Sequence, residues 1–122
     1  LPIYMLLTGA AGKTDMRKGT ALVKKAAAKN HVKAVLLLAK NYYYGYGMRR
    51  NEKYAFRNWK KGAALGSPEA EYYLGLCYGK GICVSQDFIK AKKHLYNALE
   101  NGFDPAKEAI NDLECYYEKI AG

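Results

Sequence analysis

The stretch AEYYLGLCYGKG, residues 70–81, decides the fold. Its Ala70, Leu74 and Tyr78 recur every four residues, which places them on one side of an α-helix. The preceding Ser67-Pro68-Glu69 supplies an N-cap residue, a proline at the first helical position and an early acid. Glycines at the end of the stretch permit the left-handed backbone that terminates a helix. We therefore predict a helix followed by a tight turn.

The same pattern occurs 36 residues earlier, as AVLLLAKNYYYG at residues 34–45. The offset persists along the chain: Ala55 aligns with Ala91, and Gly66 with Gly102. Such self-similarity is typical of stacked repeats. We predict one array over residues 1–122, with a partial unit at 1–33, full units at 34–69 and 70–105, and a capping helix at 106–122. We interpret the chain as a fragment of a longer protein.

Each unit is predicted to be a pair of antiparallel helices. Asp15, Asn51 and Asp87 are N-cap residue types at the start of each second helix. One such pair cannot bury its own apolar side, so neighbouring pairs must supply the core. The fold class predicted is all-α, a solenoid of antiparallel helix pairs. Its seven helices are expected at about 1–8, 15–29, 31–43, 51–65, 68–79, 87–101 and 105–120.

The repeat resembles the Sel-one-like repeat, a relative of the tetratricopeptide repeat. The resemblance rests on the pattern Ala70-x3-Leu74-Gly75-x2-Tyr78-x2-Gly81-x2-Val84-x2-Asp87-x2-Lys90-Ala91-x7-Leu99-x2-Gly102 and its counterpart from Asn30 to Gly66. The chain departs from the family pattern at Cys83, which replaces a loop glycine, and at His94, which replaces a tryptophan. The resemblance implies a right-handed α/α superhelical solenoid that acts as an adaptor or scaffold in a protein complex, and it implies no catalysis.

A binding groove is implied by the related tetratricopeptide fold, in which the first helix of each pair lines the concave side. Carried over by register, its residues would be Lys33, Leu36, Lys40, Tyr43, Tyr44, Tyr72, Leu76, Lys80, Glu108, Asp112 and Tyr116. The tyrosines are suited to contact an extended or helical peptide, with the lysines facing its acids and the carboxylates its bases. The alternative is that these rings only cover neighbouring helices.

Positive charge gives a second hypothesis, from another functional class. Residues 1–61 contain 14 Lys or Arg against two acids, whereas residues 62–122 contain six against nine. Four pairs of basic residues are register mates and lie mainly on the second helices, the convex side: Lys13 and Arg49, Arg17 and Lys53, Lys24 and Lys60, Lys25 and Lys61. A solvated outer face is the simplest reading. The alternative is electrostatic binding of nucleic acid or an anionic surface, although no sequence-reading motif supports it.

Other classes of function find no support in the residues. No apolar run reaches the roughly 18 residues of a membrane span. His31 and His94 lack neighbours at metal-ligand spacing, and no catalytic set can be assembled, so we predict no enzyme, metal or cofactor. Cys77, Cys83 and Cys115 favour free thiols and a cytoplasmic location. A Cys77–Cys115 bridge and a secreted or periplasmic location remain alternatives.

Overall fold

A computed structural model describes residues 13–121, which fold into six α-helices. They are α1 Lys13–Ala28, α2 Val32–Tyr44, α3 Glu52–Ala64, α4 Pro68–Lys80, α5 Phe88–Glu100 and α6 Pro105–Ala121. No strand occurs in this part of the chain, so the all-α class is confirmed. The six observed helices begin and end within two residues of the predicted bounds. The helix predicted at 1–8 lies outside the described residues.

The described helices form two compact units, a first unit of α1–α3 and a second unit of α4–α6. In the first unit α2 packs against both α1 and α3. In the second unit α5 packs against both α4 and α6. Each unit therefore buries helix faces by contact between sequence neighbours, as expected for helical repeats.

Side-chain caps start three of the helices where the sequence predicts them. Ser67 accepts a hydrogen bond from the Ala70 N–H, with Pro68 opening α4. Asn51 and Asp87 cap α3 and α5 in the same way. The corresponding prediction for Asp15 is wrong, because the chain is already helical at Lys13.

Small side chains dominate the buried positions of both units. In the second unit they include Ala70, Ala91, Ala98 and Ala106, all fully buried beside the larger Leu95. Burying a leucine contributes about 2 kcal/mol, and alanines let helix axes approach closely enough to bury it. In the first unit Val23, Ala27, Ala34, Val35 and Leu38 form the corresponding cluster.

Candidate functional site

A groove of about 670 Å³ lies in the second unit, with α4 on one side and α6 on the other. All six groove residues that the sequence predicts for this unit line it: Tyr72, Leu76, Lys80, Glu108, Asp112 and Tyr116. They come from equivalent positions of two successive first helices, since the residues of each pair Tyr72/Glu108, Leu76/Asp112 and Lys80/Tyr116 are 36 apart. The same three surface positions of the repeat, occurring once on α4 and once on α6, thus supply both walls of the groove.

Two glycines of α4 shape the floor of the groove. A Cβ at Gly75 would lie 2.6 Å from Leu95 Cγ, so only glycine lets α5 approach α4 this closely. One turn later a Cβ at Gly79 would lie 3.3 Å from Leu113 Cδ1. Leu95, Ala109 and Leu113 complete an apolar floor that a larger residue at either glycine would fill.

Charged groups lie on opposite walls. Lys80 is exposed at the end of α4, whereas Glu108 and Asp112 are exposed one helical turn apart on α6. The groove therefore offers one cation to an acidic group of a ligand and two carboxylates to basic groups. Such paired, complementary charges fix the orientation of a ligand more than they raise its affinity.

Gln86 is a groove residue that the sequence does not reveal. It belongs to the loop between α4 and α5, and its Nε2 donates a hydrogen bond of 2.8 Å to the Gly79 carbonyl oxygen. This contact satisfies a carbonyl near the end of α4 and holds the amide at the groove. No helical period applies to a loop, so no sequence signal could have indicated it.

The aromatic groove residues also pack within their own unit. The Tyr72 ring lies 5.0 Å from the Phe103 ring, and Tyr116 lies 5.8 Å from Phe88 between ring centroids. Tyr116 nevertheless remains 47% exposed. Each ring thus has one side against the protein and an edge or face toward the groove, which preorganises it for contact.

The five predicted residues of the first unit differ in exposure. Lys33 and Tyr44 are exposed, whereas Leu36, Lys40 and Tyr43 are half-buried. Tyr43 contacts Trp59 at 5.6 Å, with the Arg50 guanidinium 5.7 Å from its ring centroid. Tyr43 therefore covers its neighbouring helix, which is the alternative that the sequence left open for these rings.

The basic positions of the first unit divide into exposed and engaged side chains. Lys24, Lys25, Arg49, Lys53 and Lys60 are exposed. Lys61 differs, because its Nζ donates a hydrogen bond of 2.6 Å to the Ala27 carbonyl oxygen and so satisfies the end of α1. Lys61 is therefore less accessible than these five residues. The side chains of Lys13 and Arg17 lie outside the described residues.

Residues 13–121 show neither a disulfide nor a cluster of metal ligands nor a helix that could span a membrane. Cys77 is buried, Cys115 is exposed, and no disulfide joins these two residues. Residues 13–121 contain no group of three His, Cys, Asp or Glu placed to hold a metal ion. None of the helices α1–α6 combines the length and hydropathy that a membrane span requires.

The family model for the Sel1 repeat matches residues 4–31, 32–67 and 68–103. The chain belongs to the Sel1 repeat family. This confirms the resemblance seen in the sequence. Sel1 repeat proteins are in general non-enzymatic scaffolds for protein–protein interaction.

Solved Sel1 repeat structures share the fold. A Sel1 repeat protein from Oxalobacter formigenes has a TM-score of 0.80 at 28% identity, over 88% of this chain and 44% of that one. A protective antigen of uropathogenic Escherichia coli strains, described as having an SLR fold, has a TM-score of 0.81 at 21% identity, over 91% and 24% of the chains. The second likeness concerns the fold alone.

Two curated relatives are much longer than this chain. An uncharacterized protein of Neisseria meningitidis serogroup B is 34% identical over 74% of this chain and 19% of its own length. A Schizosaccharomyces pombe protein, named as an ERAD-associated E3 ubiquitin-protein ligase component, is 33% identical over 62% and 11%. The chain thus spans about a fifth or less of these relatives.

Proposed function

We propose that this chain is a non-catalytic adaptor whose second-unit groove binds a peptide or a segment of a partner protein. The observation that carries the proposal is the apolar floor between charged walls. Leu76, Leu95 and Leu113 provide apolar contact, Lys80 faces an acid of the ligand, and the two carboxylates of α6 face its bases. Pockets that bind ligands commonly combine apolar lining with few, well-placed polar groups.

A selection from a random-peptide display library, performed on the full chain, tests this proposal. Titration of the selected peptides into ¹⁵N-labelled protein should shift the amide resonances of α4 and α6 around the groove. We expect the selected peptides to carry a Lys or Arg beside an apolar residue. Shifts confined to other surfaces would contradict the proposal.

Neutralising the carboxylates gives a sharper test. Glu108→Gln with Asp112→Asn should lower the affinity for a selected peptide about tenfold or more. The reason is that each charge-assisted hydrogen bond that is lost contributes about 1.5–3 kcal/mol. The matched control is Glu100→Gln with Glu118→Gln, which removes the same charge from exposed positions outside the groove. A peptide whose basic residue is replaced by Gln should no longer distinguish the groove variant from the unmodified chain. An equal loss of peptide affinity in both double variants would contradict the proposal that the groove binds the peptide.

A further inference from the structure

The first unit carries a concentration of positive charge that the groove does not use. Residues 18–65 contain twelve Lys or Arg and one acid, Glu52, which pairs with Arg50. Like charges one turn apart destabilise a helix, so solvated faces ordinarily mix both signs. The second unit shows that mixing, where Lys92 of α5 faces Glu114 of α6 at 3.4 Å. The shared fold therefore does not account for the imbalance of the first unit.

Four side chains form a continuous row across the three helices of the first unit. The Lys24 Nζ of α1 lies 5.9 Å from the ring centroid of Tyr42, and the Tyr42 and Tyr54 centroids are 5.2 Å apart. The Arg57 guanidinium of α3 lies 5.4 Å from the Tyr54 centroid. Tyr54 as a residue is 44% exposed. The row thus holds an accessible aromatic ring between cations.

Further cations flank this row on the outer faces of α1 and α3. On α3, Lys53, Arg57 and Lys60 are spaced four and three apart and are all exposed, opposite the buried Ala55 and Trp59. On α1 the exposed cations beside Lys24 are Lys18, Lys25 and Lys29. The hydrogen bond from Lys61 to Ala27 ties the ends of α1 and α3 together. The two helices therefore present one basic surface, defined here by Lys18, Lys24, Lys25, Lys29, Lys53, Tyr54, Arg57 and Lys60.

We propose that this basic surface binds single-stranded nucleic acid. The lysines neutralise successive phosphates and release their counterions. Arg57 turns from the Tyr54 ring to a phosphate, and an unpaired base stacks on the ring face that Arg57 leaves. A duplex already stacks its bases internally and would leave the Tyr54 ring unused. Insertion into a lipid surface strengthens binding through apolar side chains, whereas α3 presents Lys53, Tyr54, Arg57 and Lys60 and buries its apolar side. Only a single strand offers both phosphates to the cations and unpaired bases to Tyr54.

Fluorescence anisotropy of a labelled oligouridylate of about 20 nucleotides, titrated with the full chain, measures this binding. We expect affinity to fall about a hundredfold between about 50 and 200 mM salt, as for roughly five neutralised phosphates on a single strand. A duplex of equal length and vesicles of phosphatidylcholine and phosphatidylserine are measured in parallel. We expect both to bind at least several-fold more weakly than the single strand.

Two variants, each with a matched control, assign the binding to residues. Lys53→Gln with Arg57→Gln and Lys60→Gln should weaken the single strand tenfold or more. The control, Lys93→Gln with Lys107→Gln and Lys119→Gln, removes equal charge from exposed positions of the second unit and should change affinity less than threefold. Tyr54→Leu should weaken the single strand about tenfold and leave the duplex unchanged, since it removes one stacking ring. Tyr96→Leu, an exposed ring on α5, is its control and should have no effect.

These measurements distinguish nucleic-acid binding by the basic surface from peptide binding by the groove. The variant Glu108→Gln with Asp112→Asn should bind the oligonucleotide as the unmodified chain does, so either proposal can fail alone. No binding at low salt, equal binding of single strand and duplex, or binding of vesicles alone would overturn the proposal. Equal losses in the two triple variants, each with an unchanged circular dichroism spectrum, would also overturn it.

Discussion

Gly47 and Cys83 lie 36 residues apart and adopt the same left-handed backbone conformation, with φ of 68° and 61°. This position of the repeat turn demands positive φ, which glycine adopts freely and a residue with a Cβ adopts at a cost of about 1–2 kcal/mol. The departure from the family pattern at Cys83 is therefore a point of backbone strain in an exposed turn of the second unit.

Relieving that strain should stabilise the protein. We expect Cys83→Gly to raise the free energy of unfolding by about 1 kcal/mol, and Gly47→Ala to lower it by about the same amount. Urea denaturation followed by circular dichroism measures both changes. Cys83→Ser is the control, because it removes the thiol and keeps the Cβ. A gain for the serine variant equal to that for glycine would show that the thiol, not φ, is responsible.

The first-helix N-caps offer a second pair of equivalent positions. His31 has the extended N-cap geometry at the start of α2 but makes no side-chain cap hydrogen bond, whereas Ser67, 36 residues later, caps α4. His31→Ser should stabilise the chain by about 1 kcal/mol, and Ser67→Ala should destabilise it by about 1–2 kcal/mol. Thermal unfolding compares them, with His31→Ala as a control that supplies no acceptor. Equal unfolding temperatures for His31→Ser and His31→Ala would contradict this expectation.

The glycines in the groove floor should respond differently to a methyl group. Gly75→Ala should lower the free energy of unfolding by about 2 kcal/mol, because its Cβ would overlap the fully buried Leu95. Gly79→Ala meets the flexible end of Leu113 at 3.3 Å and Ala91 Cβ at an ordinary contact distance of 3.7 Å, and it gains helix propensity. Its free energy of unfolding should therefore stay within about 0.5 kcal/mol or rise. Denaturant titration of the two variants measures both changes in the free energy of unfolding. Equal destabilisation at both positions would argue against a specific contact between Gly75 and Leu95.

A polar contact ties α4 to α5 where the family pattern has a tryptophan. His94 Nδ1 lies 2.6 Å from Glu71 Oε2, and the His94 ring stacks on Tyr78 at 5.5 Å. A double-mutant cycle with Glu71→Ala and His94→Ala should give a coupling free energy of about 1 kcal/mol. The exposed pair Lys92 and Glu114, treated the same way, should give only about 0.3 kcal/mol. Couplings of similar size would mean that partial burial does not strengthen the Glu71–His94 contact.

Local and periodic features could be predicted from the sequence. The helices, their caps at Asn51, Ser67 and Asp87, and the residues that share the α4 surface follow from interactions within a few residues, repeated at a fixed spacing. The resemblance to the tetratricopeptide fold, carried over by register, implied which side chains of α4 and α6 would line one groove. Whether they bind a partner stays a prediction.

The tertiary structure alone decided which side chains meet across helices. Lys61 satisfies the end of α1, Gln86 reaches the groove from a loop, and Gly75 admits Leu95, although none of these pairs is marked by a local pattern. The same holds for the row from Lys24 to Arg57, which draws on three helices. The sequence by itself determined the repeated helix pairs, because their formation depends on neighbours along the chain. The packed structure determined the contacts of the groove and of the basic surface, because these depend on distances between residues far apart in the sequence.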